Sequence, residues 1–350
     1  MSGWVPDLLG EGYEQRTIEL GPDPDGEGEA AAVVVRRTPR EGEQVTGAVL
    51  YVHGFTDYFF QTGLADFFAE RGLAFLAVDL RKSGRARREG QTAHYTTDLA
   101  RHDEELDAAL DVVVEEHPDL PVLVVAHSTG GLVAPLWLHR RRRRLGTTDP
   151  VAGVVLNSPW FDLQGTDLQR GPVTQALRVL SKVRPLQELT AGLSVYGPSL
   201  HASGTGEWDY DLAMKPLEGC PVTWGWLNAV RRGHAQLHRG LDIGVPSLVL
   251  RSSRSHFASA YSDDSDRADV VLDVTHMSRW AGCLGGEVEV AIIDDARHDV
   301  FLSLPRARAA AYDRVGGWLA ARGFGVAAEF PGEPGKSASQ SPHTGRGRRT

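Results

Sequence analysis

The chain has 350 residues, 41% of them hydrophobic and 24% charged, the balance of a globular protein with room for one α/β domain and an insertion. A formal net charge of −9 argues against a nucleic-acid binder, which needs a basic face to neutralise phosphates. Two cysteines, Cys220 and Cys283, cannot build a disulfide framework and fit a reducing compartment, so a cytoplasmic location is expected.

Residues 1–7 carry no basic flank and no apolar core of signal-peptide length, and no apolar run approaches the roughly 20 residues of a membrane span. Two strands are expected at 13–20 and 30–38, joined by the turn sequence Gly21-Pro22-Asp23-Pro24-Asp25-Gly26, as an antiparallel start to a sheet. Strand and helix then alternate: strand 48–52, helix 64–71 closed by Gly72, strand 74–80, helix 99–117 ended by Pro118. The apolar run 121–125 reads as a buried parallel strand, 132–144 as a helix and 152–156 as the next strand. From Trp160 to about Gly240 the alternation breaks in a span rich in Gly, Pro and Trp, with a helical piece at 173–182. It resumes with strand 247–250, helix 274–280, strand 288–293 and a final helix at 306–321. This order predicts an α/β fold with a mostly parallel sheet covered on both faces. The expected division is a core of 1–159 and 241–325, an inserted cap of 160–240, and a disordered tail of 326–350.

Chemistry concentrates at Ala126-His127-Ser128-Thr129-Gly130-Gly131, between the apolar strand and the helix. A serine at a sharp strand-to-helix turn, with small residues two positions away on each side, fits a nucleophile elbow. The turn lifts the hydroxyl clear of the sheet, and Ala126 stands where glycine is usual. A hydroxyl needs a base, and the base needs an orienting acid. His298 follows the last strand, in the loop where such a base belongs, and is favoured over His127, His256 and His276. No carboxylate immediately follows strand 247–250. Of the acids after it, Asp269 stands before a short apolar turn and is favoured, with Asp273 second; Asp263, Asp264 and Asp266 read as solvated loop charges. Backbone N–H groups of Thr129 and of Phe55, in His53-Gly54-Phe55, are the expected donors to an oxyanion.

With these segments assembled, the chain resembles the α/β-hydrolases, and within them the monoacylglycerol lipase, lysophospholipase and serine-aminopeptidase-like branch. Asp79-Leu80-Arg81-Lys82-Ser83-Gly84-Arg85 is similar to that branch's Asp-x-Arg-Gly-x-Gly segment. Two departures stand out: Lys82 replaces a glycine, and the loop between Ser253 and Ala268 is longer than usual. The resemblance implies hydrolysis of carboxylic esters through an acyl-enzyme, on a small acyl or lipid monoester, without cofactor or metal. The alternatives are a peptidase of the same branch and a non-catalytic binding protein of this fold. Oligomeric state is left open. The run His139-Arg140-Arg141-Arg142-Arg143-Arg144 reads as a helix end favoured by the helix dipole rather than as an anion site. The aromatics Trp208, Tyr210, Trp224 and Trp226 could either line an acyl pocket or hold the cap.

Overall fold

The computed structural model describes residues 3–164, 179–189 and 195–325. Within them the apolar runs become strands β1 (Val5–Pro6), β2 (Tyr13–Pro22), β3 (Glu29–Arg37), β4 (Gly47–Val52), β5 (Leu73–Asp79), β6 (Val122–His127), β7 (Val151–Asn157), β8 (Ser247–Ser252) and β9 (Val288–Ile293). Between them lie helices α1 (Thr62–Ala69), α2 (His102–Glu116), α3 (Gly130–Leu145), α4 (Tyr196–Leu200), α5 (Trp224–Leu237), α6 (Val274–Trp280) and α7 (Pro305–Ala320). The strands form one sheet in the order β1-β2-β3-β5-β4-β6-β7-β8-β9. Its first three members and the β3–β5 pair are antiparallel, and every pairing from β5 through β9 is parallel. This is the expected mostly parallel sheet with an antiparallel start.

Successive strand side chains point to opposite faces. Val49 and Tyr51 of β4 and Leu123 and Val125 of β6 therefore join α1 and α7 in one apolar layer. Leu50 and Val52 of β4 and Val124 and Ala126 of β6 join α2, α3, α5 and α6 in the other. Both faces are covered, which is why these strands read as continuous apolar runs rather than as alternating ones.

Several boundaries differ from the sequence reading. The expected helix at 99–117 opens as a 3₁₀ turn, Leu99–Arg101, because the Asp98 carboxylate accepts the Ala100 N–H and caps the chain early. Helix α5 had no separate sequence signal, yet it buries Trp226, Ala229, Val230 and Leu237 as one stripe. The expected tail 326–350 and most of the helical piece 173–182 lie outside the described residues. Four of the five arginines of the run are paired locally: Arg140 with Asp103, Arg141 and Arg144 with Asp107, and Arg142 with Asp242. Those carboxylates add to the dipole in explaining the run. Among the described residues, no helix is long and apolar enough to cross a membrane.

Candidate active site

Strand β6 runs into α3 through Ser128, whose φ of +52° is costly for any residue but glycine. Such a turn is held only by close packing on all sides. A Cβ on Gly54 would lie 2.9 Å from the Ser128 Cβ, and one on Gly130 would overlap the His53 carbonyl oxygen. The glycines are therefore needed for the two loops to touch, and their contact holds the serine in its strained turn. Ala126, where glycine is usual, is fully buried in the apolar layer beneath.

Ser128 Oγ lies 2.9 Å from His298 Nε2, and His298 Nδ1 lies 2.8 Å from Asp269 Oδ2. Three residues far apart in sequence thus form one hydrogen-bonded chain, nearly excluded from solvent. The carboxylate makes Nδ1 the protonated nitrogen, so that Nε2 accepts from the serine hydroxyl. Asp269 Oδ1 accepts the N–H groups of Val271 and Leu272, both at 2.8 Å, which orients Oδ2 toward the histidine. Its late position in the chain has a structural reason. The loop after β8 closes on itself, Asp269 N–H donating to Arg254 O at 3.0 Å and His256 N–H to Asp269 O at 2.8 Å. The excursion thereby returns Asp269 to the end of β8.

Asp273, the second candidate, accepts from Thr275 N–H and caps α6. His276 sits beside it, and His256 faces Ser262 in the loop. Asp299, next to His298 in the chain, has a carboxylate that accepts from Asn157 Nδ2 at 2.7 Å and from Phe301 N–H at 3.0 Å.

Phe55 and Thr129 both face the cavity above Ser128. Among the described residues neither backbone N–H meets a protein acceptor. Thr129 stands immediately before α3, where the helix dipole favours negative charge. The Phe55 loop is fixed from below by His53, which donates from Nδ1 to Gly54 O at 2.7 Å and accepts Leu80 N–H at Nε2, 3.1 Å away. Burial holds His53 below the usual histidine range, in keeping with a neutral ring. Lys82 has a φ of +59°, a left-handed conformation that favours glycine, the residue the sequence resemblance leads one to expect there. Here a buried ion pair holds it: its Nζ lies 2.6 Å from Asp23 and 2.8 Å from Glu27, both in the β2–β3 turn.

The cavity over Ser128 measures about 590 Å³. Its apolar lining includes Leu163, Val222, Trp226, Leu227, Val271 and Leu272. Its polar lining includes His127, Tyr196 and Lys215, with Lys215 Nζ 5.8 Å from the centre of the Tyr196 ring. There Lys215 Nζ meets Asp57 Oδ1 at 2.7 Å, and His127 Nδ1 meets Asp57 Oδ2 at 3.2 Å. Burial by itself would raise the Asp57 carboxyl, but Lys215 and His127 outweigh it and hold the group well below the usual carboxylate range. Of the four aromatics singled out in the sequence, Trp226 lines the cavity, its ring 3.9 Å from that of Phe55. Trp208 donates to Leu302 O, and Tyr210 packs on Phe60, so these two fasten the segment instead. Asp57, Tyr196 and Lys215 escaped the sequence reading. Asp57 lay two residues past Phe55, whereas nothing in the sequence tied Tyr196 or Lys215 to that loop.

Residues 43–302 match the family model described as serine aminopeptidase, S33. A search of curated proteins finds no significant match by sequence. Among solved structures the chain is similar to a soluble variant of monoglyceride lipase from Saccharomyces cerevisiae, crystallised with a substrate analog. That likeness has a TM-score of 0.65 at 17% identity and covers 90% of this chain and 95% of that one. A monoacylglycerol lipase from Paleococcus ferrophilus follows at TM-score 0.54 and 19% identity, with 80% and 96% covered. A thermostable carboxyl esterase from Bacillus coagulans, in complex with glycerol, gives 0.60 at 14% identity, with 88% and 98% covered. At these identities the likeness establishes the fold, that of the α/β-hydrolases.

Proposed function

The chain belongs to the serine aminopeptidase S33 family, and on that premise we propose that it is a serine hydrolase of carboxylic esters. The observation that carries this reading is the hydrogen-bonded chain Ser128–His298–Asp269, whose serine and histidine open on a cavity with many apolar lining residues. Ser128 Oγ attacks the ester carbonyl while His298 Nε2 takes its proton, and Asp269 stabilises the imidazolium. The oxyanion of the tetrahedral intermediate accepts from the N–H groups of Phe55 and Thr129. Collapse expels the alcohol, which takes the proton from His298, and leaves an acyl-enzyme. His298 then activates a water that releases the acid.

The substrate in this reading is a small acyl ester or a lipid monoester. Its acyl group lies along the apolar lining residues and its alcohol toward His127, Tyr196 and Lys215. Leu163, Val222, Trp226 and Leu227, from the span expected to form a cap, supply much of that lining. An aminopeptidase would have to hold the ammonium of a peptide N-terminus with carboxylates. Among the described lining residues the carboxylate is Glu218, and Asp57 behind the wall is already paired with Lys215. An ester substrate accords better with that lining.

The test is turnover of p-nitrophenyl esters of graded chain length by wild type and Ser128→Ala, each also treated with a fluorophosphonate probe. Turnover and labelling that both vanish in the variant are expected. A folded wild type that neither turns over nor labels refutes the proposal.

A further inference from the structure

The loop that brings Asp269 home does more than close on itself. Arg297, next to His298, is only 2% exposed at its side chain and reaches across to that loop. Its Nη2 meets Asp266 Oδ1 at 2.7 Å, and its Nη1 donates to Leu302 O at 3.0 Å. Its backbone N–H donates to Ser303 Oγ at 2.9 Å, so both ends of the residue are tied down. Asp266 is held in turn by the Tyr261 hydroxyl, which donates to its other oxygen at 2.8 Å. Arg267 and Asp295 face each other at 3.6 Å across the same gap, nearer the surface. Segments 266–269 and 295–298 are therefore joined by three charged contacts, of which His298–Asp269 is one.

We infer that Arg297 and Asp266 are positioning residues, a largely buried ion pair that sets the separation of the His298 loop from the Asp269 loop. The inference rests on the proposed roles of Ser128, His298 and Asp269. Its physical basis is the length of the excursion between Ser252 and Asp269. A loop that long does not by its own stiffness hold a carboxylate to within a few tenths of an ångström of a histidine nitrogen. The self-closing backbone bridge fixes the loop to β8, whereas only contacts across the gap fix it to the loop that carries His298. The guanidinium supplies that contact in a direction a flexible ammonium would define poorly, because its planar fork holds Asp266 and Leu302 O together. Asp266, read from the sequence as a solvated loop charge, thereby acquires a role.

Arg297→Met and Asp266→Asn, singly and together, test it by steady-state ester hydrolysis. A misplacement of about 1 Å at a reacting group costs on the order of 10²-fold. Each single variant is expected to lower kcat and kcat/KM together by about that factor while KM holds, since the cavity wall is untouched. The double variant is expected to be no slower than the slower single, because the two act as one unit. Arg297→Lys, which keeps the charge but not the fork, should fall between wild type and Arg297→Met. Asp266→Asn is close to isosteric and carries the test if Arg297→Met does not fold. Single variants with wild-type kcat, losses that add in the double, or a rise in KM alone each overturn the inference while leaving the hydrolase reading intact. A wild type without turnover or labelling refutes the hydrolase reading and the brace with it.

Discussion

Lys82→Gly sets two effects against each other. At φ +59° a lysine pays roughly 1 kcal/mol that glycine would not, so backbone strain alone argues that the substitution stabilises. The side chain argues the opposite. Its ammonium is fully buried with two carboxylates, of which Asp23 is fully buried and Glu27 12% exposed. Removing one partner of a buried ion pair costs about 3–5 kcal/mol, because the remaining charge is left uncompensated. Glu27 keeps its hydrogen bond from Thr92 Oγ1, which softens the loss. The net expectation is a destabilisation of about 2–4 kcal/mol. Urea unfolding followed by tryptophan fluorescence measures it. The triple change Asp23→Asn, Glu27→Gln, Lys82→Gly removes the orphaned charges and should recover most of the loss.

The pH dependence follows with a definite sign. Burial pushes the Asp23 carboxyl up, but the bond and charge of Lys82 together with backbone N–H donors of the turn outweigh it, so the group lies below its usual value of 3.8. Its contribution in wild type is therefore present above that value and lost as pH falls through the lower folded one. Without Lys82, burial raises the carboxyl instead, and protonation relieves the variant first. The gap between the two proteins should narrow as pH falls into the carboxylate range. A Lys82→Gly protein as stable as wild type at neutral pH would refute the reasoning.

Three further outcomes are expected. Gly54→Ala brings a methyl to 2.9 Å from Ser128 Cβ and 3.3 Å from His127 O, so the loop carrying Phe55 must retreat. With the proposed oxyanion donor Phe55 displaced, kcat should fall about 10²- to 10³-fold, and a loss below tenfold would count against Phe55 in that role. Asp269→Asn should lower kcat by about 10⁴ through the wrong histidine tautomer. Asp273→Ala should instead cost about 1 kcal/mol of stability, as loss of a helix cap does, with kcat nearly unchanged; the reverse pattern would exchange the two aspartates. His234, which donates to Trp160 O, is pushed by burial from 6.5 to about 3. As pH falls the unfolded chain takes up that proton first, so between these values stability should drop by about 1.4 kcal/mol for each unit the pH is lowered. Denaturant melts of wild type and His234→Gln from pH 7 to 4 check this, and parallel losses in both would show that His234 is not the cause.

The sheet and its helices were readable because their signal is local. A strand buried on both faces is apolar along its length, a helix on the sheet repeats its apolar residues every three to four positions, and glycine and proline mark the ends. The elbow around Ser128 was readable for the same reason, since its strain and close packing are imposed by immediate neighbours. His298 followed from its place after the last strand. Asp269 was harder: its identity as the partner of His298 rests on a loop that closes through the Ser255–Asp269 bridge, a contact with no local pattern. The network of Lys215, Asp57 and His127, the pair of Arg297 and Asp266, and the burial of Lys82 between two hairpin carboxylates lay further out of reach. Each joins charges separated by between 31 and 158 positions, or stands where a glycine was the expected residue. Outside the span of 160–240, sequence determined which core segments would be strand or helix, because hydrophobic burial and backbone sterics act over a few residues. Which charges would share one low-dielectric site was decided only when the sheet brought its loops together, because Coulomb attraction depends on distance in space and on the solvent excluded around it.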